Sequence, residues 1–250
     1  MFIRVNPWLK RMPATSKKIF LTARWRQLAM LNYEIDPLVL KPWVPAGTEL
    51  DLWNGKALVS LVGFLFLETQ GWRMSFPFHR NFEEVNLRFY VRRKAEDGWR
   101  RGVVFIKEIV PRAAIAYAAR TFYNENYICL PMAHALTPNS AEYSWRFRDR
   151  QNRIKVTTLG EPQELLIGSE AEFITEHYWG YSRQPDGSTM EYQVEHPRWN
   201  VSDAADAELD CDVAGFYGEA FKDAIGDKPC SAFLADGSPV TVYCGQKLRP

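Results

Sequence analysis

Side chains able to move protons or hold a small anion concentrate in two stretches of this 250-residue chain. The first is EEVNLRFYVRR, residues 83–93, which alternates with a period of two. Val85, Leu87, Phe89 and Val91 fall on one face of a strand, and Glu84, Asn86, Arg88, Tyr90 and Arg92 on the other. In a plain sheet the polar face meets water. In a sheet closed on itself it lines an interior, where Glu84, Asn86 and Arg88 in register form a strip able to bind a small anion or carbonyl compound. The pattern leaves both arrangements open.

The second stretch runs from Gly102 to Ala135, from an apolar strand through an Ala-rich helix into an aromatic and polar segment. A guanidinium at the helix end, Arg120, can clamp a carboxylate or satisfy the last helix carbonyls. Beyond it Tyr123, Glu125 and Tyr127 offer a proton donor and a base within reach of Arg120, and His134 adds another titratable ring. The alternative for the same residues is a turn whose aromatic rings pack into the core. Lys107 sits inside the preceding apolar strand. Burial there lowers an amine pKa and makes a nucleophile, whereas a place at the strand edge leaves an ordinary solvated lysine.

The better-defined routes to an activity are closed: the chain has no G-x-G-x-x-G, Walker loop, G-x-S-x-G or H-E-x-x-H. His79, His134, His177 and His196 are scattered, and Cys129, Cys211, Cys230 and Cys244 form no C-x-x-C pair, so the sequence implies neither metal nor cofactor. A formal net charge of +1 from 31 basic and 30 acidic residues supplies no field for a polyanion, which argues against nucleic acid as a partner. The N-terminus lacks a signal-peptide core and no twenty-residue apolar span follows, so the expectation is a reduced cytoplasmic protein without a membrane partner.

The elements that must position these residues are mostly strands. Residues 1–20, with Pro7 and Pro13 beside Lys10, Arg11, Lys17 and Lys18, read as a surface arm, and residues 21–250 as a single domain. A strand over 24–35 leads into Asp36-Pro37, an N-cap with proline at the first helical position, and a short helix to Trp43. Asn54-Gly55 marks a hairpin before the apolar strand KALVSLVGFLFLE. Residues 71–82 read as a long loop, either covering a pocket or pinned by its own aromatic rings. Later expectations are a hairpin turning across 150–152, a capping box from Ser169 to Glu172, a hairpin over Pro185-Asp186-Gly187, and a strand within 203–212. One amphipathic helix over 213–225 and a closing hairpin over Asp236-Gly237 complete the chain. About ten strands and four short helices without a βαβ rhythm predict an α+β fold, a large antiparallel sheet curled into a distorted barrel or cone.

Taken together, WRQLAMLNYEIDPLVLKPWVPAGTELDLWNGKALVSLVGF, FEEVNLRFYV, the strand and helix from Gly102 to Phe122 with CLPMAHA, and FITEHYWGY resemble the YqjF-like family. That family is similar in fold to acetoacetate decarboxylase. The resemblance spans Arg24 to Gly245 and implies a distorted antiparallel barrel with a central pocket. Acetoacetate decarboxylases carry a Schiff-base lysine just after the equivalent helix, in a segment ending Gly-x-Pro-Lys-Lys. The counterpart here is Asn124 to Ile128, with Tyr127 where the lysine is expected. A phenol cannot form an imine with a keto acid. The resemblance also pairs Glu84 with the glutamate that such pockets draw from the preceding strand.

The expectation is therefore a small-molecule enzyme, or a degenerate one, acting on a small organic acid or carbonyl compound without a Schiff base. Arg120 holds an anionic group, Glu84, Tyr127 or His134 serves as acid or base, and Asn86, Arg88 and Tyr123 line the ligand. The alternatives are a non-catalytic barrel binding a metabolite and a homo-oligomer whose aromatic surface makes subunit contacts.

Overall fold

The computed structural model describes residues 17–71, 79–226 and 228–248, so most of the arm and of the 71–82 loop lie outside the described residues. Strand β1 (Ile19–Ile35) opens the chain, followed by α1 (Pro37–Leu40), a 3₁₀ turn (Lys41–Trp43), β2 (Glu49–Leu50), β3 (Ala57–Gly71), β4 (Phe82–Ala95) and β5 (Gly98–Val110). Then come α2 (Ala113–Tyr123), β6 (Tyr127–Cys129), β7 (Met132–Thr137), β8 (Ser140–Phe147), β9 (Arg150–Thr158), β10 (Gln163–Glu164) and α3 (Glu170–Thr175). The chain finishes with β11 (Trp179–Arg183), β12 (Thr189–Glu195), β13 (Asn200–Asp210), α4 (Val213–Tyr217), α5 (Glu219–Ile225), β14 (Ser231–Ala235), β15 (Pro239–Tyr243) and β16 (Gln246–Leu248).

This is the expected α+β class: a large, mainly antiparallel sheet with a few short helices. The strands beyond the expected ten are chiefly short ones, such as β2, β6, β10 and β16. Seven strands close a ring in the order β1, β3, β4, β5, β11, β12, β15 and back to β1. Two contacts break the antiparallel rule, since β5 runs parallel to both β11 and β6. The other half of β1 pairs with β14, from which β13, β9, β8 and β7 extend the sheet. That extension folds over the outer face of the ring. Val85, Leu87, Phe89 and Val91 of β4 share a buried cluster with Tyr143, Trp145, Ile154 and Phe216. Each such ring or aliphatic chain, fully buried, contributes roughly 1.5–3 kcal/mol.

Local chemistry explains most element ends. The Asp36 carboxylate accepts from the Leu38 amide at 2.8 Å, and the Ser169 hydroxyl accepts from the Glu172 amide at 3.1 Å. Asn54 and Gly55 take positive φ in the tight turn before β3, whose first ten residues are buried. Three expectations need correction. The 213–225 helix is two helices, because Gly218 at φ +109° adopts a backbone that other residues rarely reach. The β8–β9 turn lies at Arg148 and Asp149, with Arg148 left-handed at φ 54°. Strands β14 and β15, on either side of Asp236-Gly237, are not a hairpin, because β14 pairs with Leu28–Asn32 of β1 and β15 with Ile19–Arg24, end to end. Gly237 makes this possible: a Cβ there would lie 2.1 Å from the Trp25 carbonyl oxygen.

Candidate active site

Inside the ring, the polar row of β4 turns away from water. Glu84, Asn86 and Arg88 are 3%, 2% and 9% exposed, which settles the choice between solvent and interior. Sheet register brings the rest of the site to this row. Glu108 of β5 stands opposite Asn86, and Tyr127 of β6 stands opposite Glu108 on its other side. Helix α2 lies across the opening, and Ala118 and Ala119 face the cavity, where small side chains allow a close approach. The helix ends on Asn124, left-handed at φ 53°, whose amide donates to the Arg120 carbonyl. That reversal carries Glu125 back over the cavity, where the Tyr192 hydroxyl bonds to its carboxylate.

The cavity volume is about 140 Å³. It has room for a small molecule, on the order of ten water volumes. Its walls are aromatic and aliphatic, with Trp25, Phe66, Phe82 and Phe105 the largest. Among the described residues lining it, three are carboxylates (Glu84, Glu108 and Glu125), three are tyrosines (Tyr123, Tyr127 and Tyr192), and none is lysine or arginine.

Carboxylates without a cation in an apolar space hold their protons tightly. Burial pushes Glu84 up to about 7, against hydrogen bonds from Asn86 (3.0 Å to Oε1) and Tyr127 (3.0 Å to Oε2) and the charge of Arg88. Burial, together with repulsion from Glu125 and Glu84, raises Glu108 well above the usual range. Its Oε2 has no hydrogen-bond partner among the described residues. Glu125 keeps part of its surface towards an outer hollow of about 650 Å³, yet burial pushes it up to about 8 against the Tyr192 hydrogen bond. Tyr127 is raised well above the ordinary phenol by burial and the surrounding acids. At neutral pH the cluster can both accept and donate protons, and its protonated members can hydrogen-bond a carbonyl oxygen.

Of the residues expected from sequence, Glu84, Asn86, Tyr123 and Tyr127 gather at or beside this cavity. Arg120 does not. It lies on the exposed face of α2, its Nε donating back to the Ala116 carbonyl at 3.2 Å, so it holds no anion for Tyr123, Glu125 or Tyr127. His134 is also elsewhere, exposed on edge strand β7 with Nδ1 2.6 Å from Glu83, which points away from the side occupied by Glu84. Arg88 belongs to a smaller neighbouring space. Lys107 faces the outer side of the ring, where Nζ donates to the Phe216 carbonyl and lies 4.4 Å from that ring. Glu108 and Tyr192 were not anticipated. For Glu108 a signal existed: alternation puts it on the opposite face from Lys107.

Among the described residues no group of three or more His, Cys, Asp or Glu is arranged to hold a metal ion, and no helix is long and apolar enough to cross a membrane. Residues 22–240 match the model of the DUF2071 family, described as an uncharacterized conserved protein. The uncharacterized protein YqjF of Bacillus subtilis (strain 168) is 25% identical over 189 residues, covering 74% of this chain and 76% of that protein. Among solved structures, the enduracididine biosynthesis enzyme MppR complexed with pyruvate superposes with a TM-score of 0.66 at 11% identity, covering 95% of this chain and 93% of that one. Acetoacetate decarboxylase from Legionella pneumophila superposes at 0.65 and 13% identity, covering 99% and 98%. An acetoacetate decarboxylase-like enzyme from Sphingomonas wittichii RW1 superposes at 0.64 and 12%, covering 98% of each chain.

Proposed function

The chain belongs to the DUF2071 family and has an acetoacetate decarboxylase-like fold, and on that footing we propose that it is an enzyme moving protons on a small carbonyl compound in the ring's central cavity, without a Schiff-base lysine. The observation that carries this reading is Glu84: buried, poised near neutrality and hydrogen-bonded by Tyr127 inside an apolar space. A base whose pKa sits near the working pH is the most effective one. The ionised Glu84 takes a proton from the carbon beside the carbonyl. The C–H electron pair becomes the C=C bond of an enol, and the carbonyl π pair moves to oxygen. That oxygen takes its proton from the neutral carboxyl of Glu108 or Glu125. Return of a proton to carbon from Glu84 reverses the step.

The resemblance puts Tyr127 where an imine-forming lysine is expected, and the described residues lining the cavity include no lysine, which supports the reading. The aromatic walls also favour a second reading, a non-catalytic site for an apolar or weakly acidic metabolite.

Exchange of ketone α-protons in D₂O, followed by proton NMR with butanone and a panel of small keto acids, separates the two. Wild-type protein should exchange them faster than buffer, and Glu84→Gln should lose on the order of a hundredfold or more. Equal rates for wild type and variant across the panel overturn catalysis. A ligand retained by wild-type protein in native mass spectrometry would then favour the binding role. Borohydride with acetoacetate or pyruvate should leave no adduct, and a stable one on Lys107 would restore imine chemistry.

A further inference from the structure

Trp25, Tyr192 and Val194 line both the central cavity and a second, smaller space of about 30 Å³. One water needs roughly 10–15 Å³ by this measure, so the space accepts two waters or one group the size of a carboxylate. Three polar atoms of its lining residues are buried without a hydrogen-bond partner among the described residues: Arg88 Nε, Trp25 Nε1 and His177 Nδ1. No acid lines the space.

Arg88 is 9% exposed and makes no ion pair among the described residues. Glu84, the acid on which its charge acts, is pushed up to about 7 by burial and so is only partly ionised at neutral pH. A buried guanidinium without a counter-charge is costly, and an anion beside it recovers that cost. Tyr90, two residues along the same face, lies 5.9 Å from the guanidinium carbon and supplies only its ring.

The second donor, the indole N–H of Trp25, is buried with no partner among the described residues, and a buried donor left unpaired costs about 1–3 kcal/mol. The third group is fixed in place. His177 Nε2 meets Asp51 Oδ2 at 3.3 Å, and Asp51 is in turn held by Arg101 at 2.6 Å. This anchoring leaves Nδ1 as an acceptor in a ring whose pKa burial lowers to about 4 and so keeps neutral, able to accept a hydrogen bond but not a proton.

We infer that Arg88, Trp25 and His177 form a carboxylate-binding subsite beside the acid cluster, in the space that adjoins the central cavity at Trp25, Tyr192 and Val194. The guanidinium binds one carboxylate oxygen through Nε, and the indole N–H binds the other. The carboxylate belongs either to a free small acid or to the acid end of a ligand whose body lies in the central cavity. The subsite stands on its own geometry. In the second case it rests on the proposed function and makes the substrate an oxo acid.

The test does not depend on turnover. The Trp25 indole N–H, labelled with ¹⁵N and assigned by the loss of its peak in Trp25→Phe, is followed during titration with sodium acetate against sodium chloride at equal ionic strength. A saturable downfield shift with acetate, weakened tenfold or more in Arg88→Gln, is the expected result. No acetate-dependent shift beyond that given by chloride means that the space holds water only, and the inference fails. It fails equally if Arg88→Gln folds and binds acetate like wild type. If that variant does not fold, Arg88→Lys keeps the charge without Nε and should still bind several-fold more weakly, while the wild-type titration decides the main point. An arm with 4-oxopentanoate distinguishes the sources. Binding tenfold tighter than acetate identifies the acid end of a longer ligand, and equal binding a free small acid. Failure of proton exchange with this titration intact removes the proposed chemistry and leaves the subsite.

Discussion

Glu84 and Glu191 are both sunk in the same ring of strands, at 3% and 1% exposure, and their surroundings drive them in opposite directions. Burial pushes both upward. At Glu191 this is outweighed by hydrogen bonds from Arg93 and Gln246 and by the charges of Arg93 and Arg100, so the carboxyl is held below its usual range. Its Oε2 receives Arg93 at 2.6 Å and Tyr181 at 3.1 Å, and its Oε1 receives Arg100 at 2.6 Å and Gln246 at 3.0 Å. At Glu84 the partners are an amide and a phenol, and burial wins. The satisfied carboxylate is a structural tie between β4, β5, β12 and β16. The unsatisfied one is left with a proton to exchange. Burial therefore does not distinguish a structural acid from a reactive one; the count and charge of its donors do.

Breaking the structural tie should give the largest effect on stability. Glu191→Ala leaves Arg93 and Arg100, whose side chains are 18% and 20% exposed, with no acid between them. Removing one partner of a buried pair costs about 3–5 kcal/mol. Urea unfolding should show that loss, and a change under 1 kcal/mol would mean that Asp97 and water take over the arginines.

Glu84→Gln should act the other way. The unfolded carboxyl gives up its proton near the ordinary glutamate value, while the folded one keeps it until about 7. The stability carried by this group is therefore full below pH ~4.5 and is lost as pH rises through 7. A shift of this size corresponds to about 3 kcal/mol. The variant should melt at a higher temperature than wild type at pH 8, with the difference vanishing near pH 4. A wild-type profile parallel to that of the variant would show that Glu84 ionises normally.

Much of this contrast was legible in the sequence, and the missing part has a physical cause. The alternation of 83–93 placed Glu84, Asn86 and Arg88 on one face, because the side-chain period of a strand is local. Whether that face meets water depends on closure of β15 onto β1, more than two hundred residues apart in the chain and invisible to any local window. Tyr192 enters the site by the same long-range route. Glu125 and Tyr127 were legible as neighbours of a helix end, yet Arg120, expected to lead them, was misplaced. A helix turns about 100° per residue, so the residue that caps its last turn need not face the cavity that the turn overlooks.

Tyr127→Phe should sharpen the comparison by removing a donor from the poorly satisfied side. The Tyr127 hydrogen bond at 3.0 Å is one of the forces holding Glu84 down, so its loss should raise the Glu84 midpoint by about one unit, equivalent to about 1.4 kcal/mol. Carbon-13 NMR titration of the glutamate carboxyls reads this directly, without a substrate. An unmoved midpoint would assign the hydroxyl to Glu108 instead.

The smallest effects belong to the two residues that the fold leaves outside the site. Arg120→Ala removes an exposed guanidinium bonded only to a carbonyl of its own helix, and His134→Ala removes an exposed ring paired with Glu83 on an edge strand. Surface substitutions away from packed features usually stay within about 0.5 kcal/mol, and exposed ion pairs contribute about as little. Both variants should therefore unfold like wild type and keep its proton-exchange rate within twofold. A tenfold loss in Arg120→Ala would mean that the guanidinium swings over the α2 end when ligand is bound, placing a cation beside Glu125 and erasing the contrast between a cation-free acid cluster and the arginine-held Glu191.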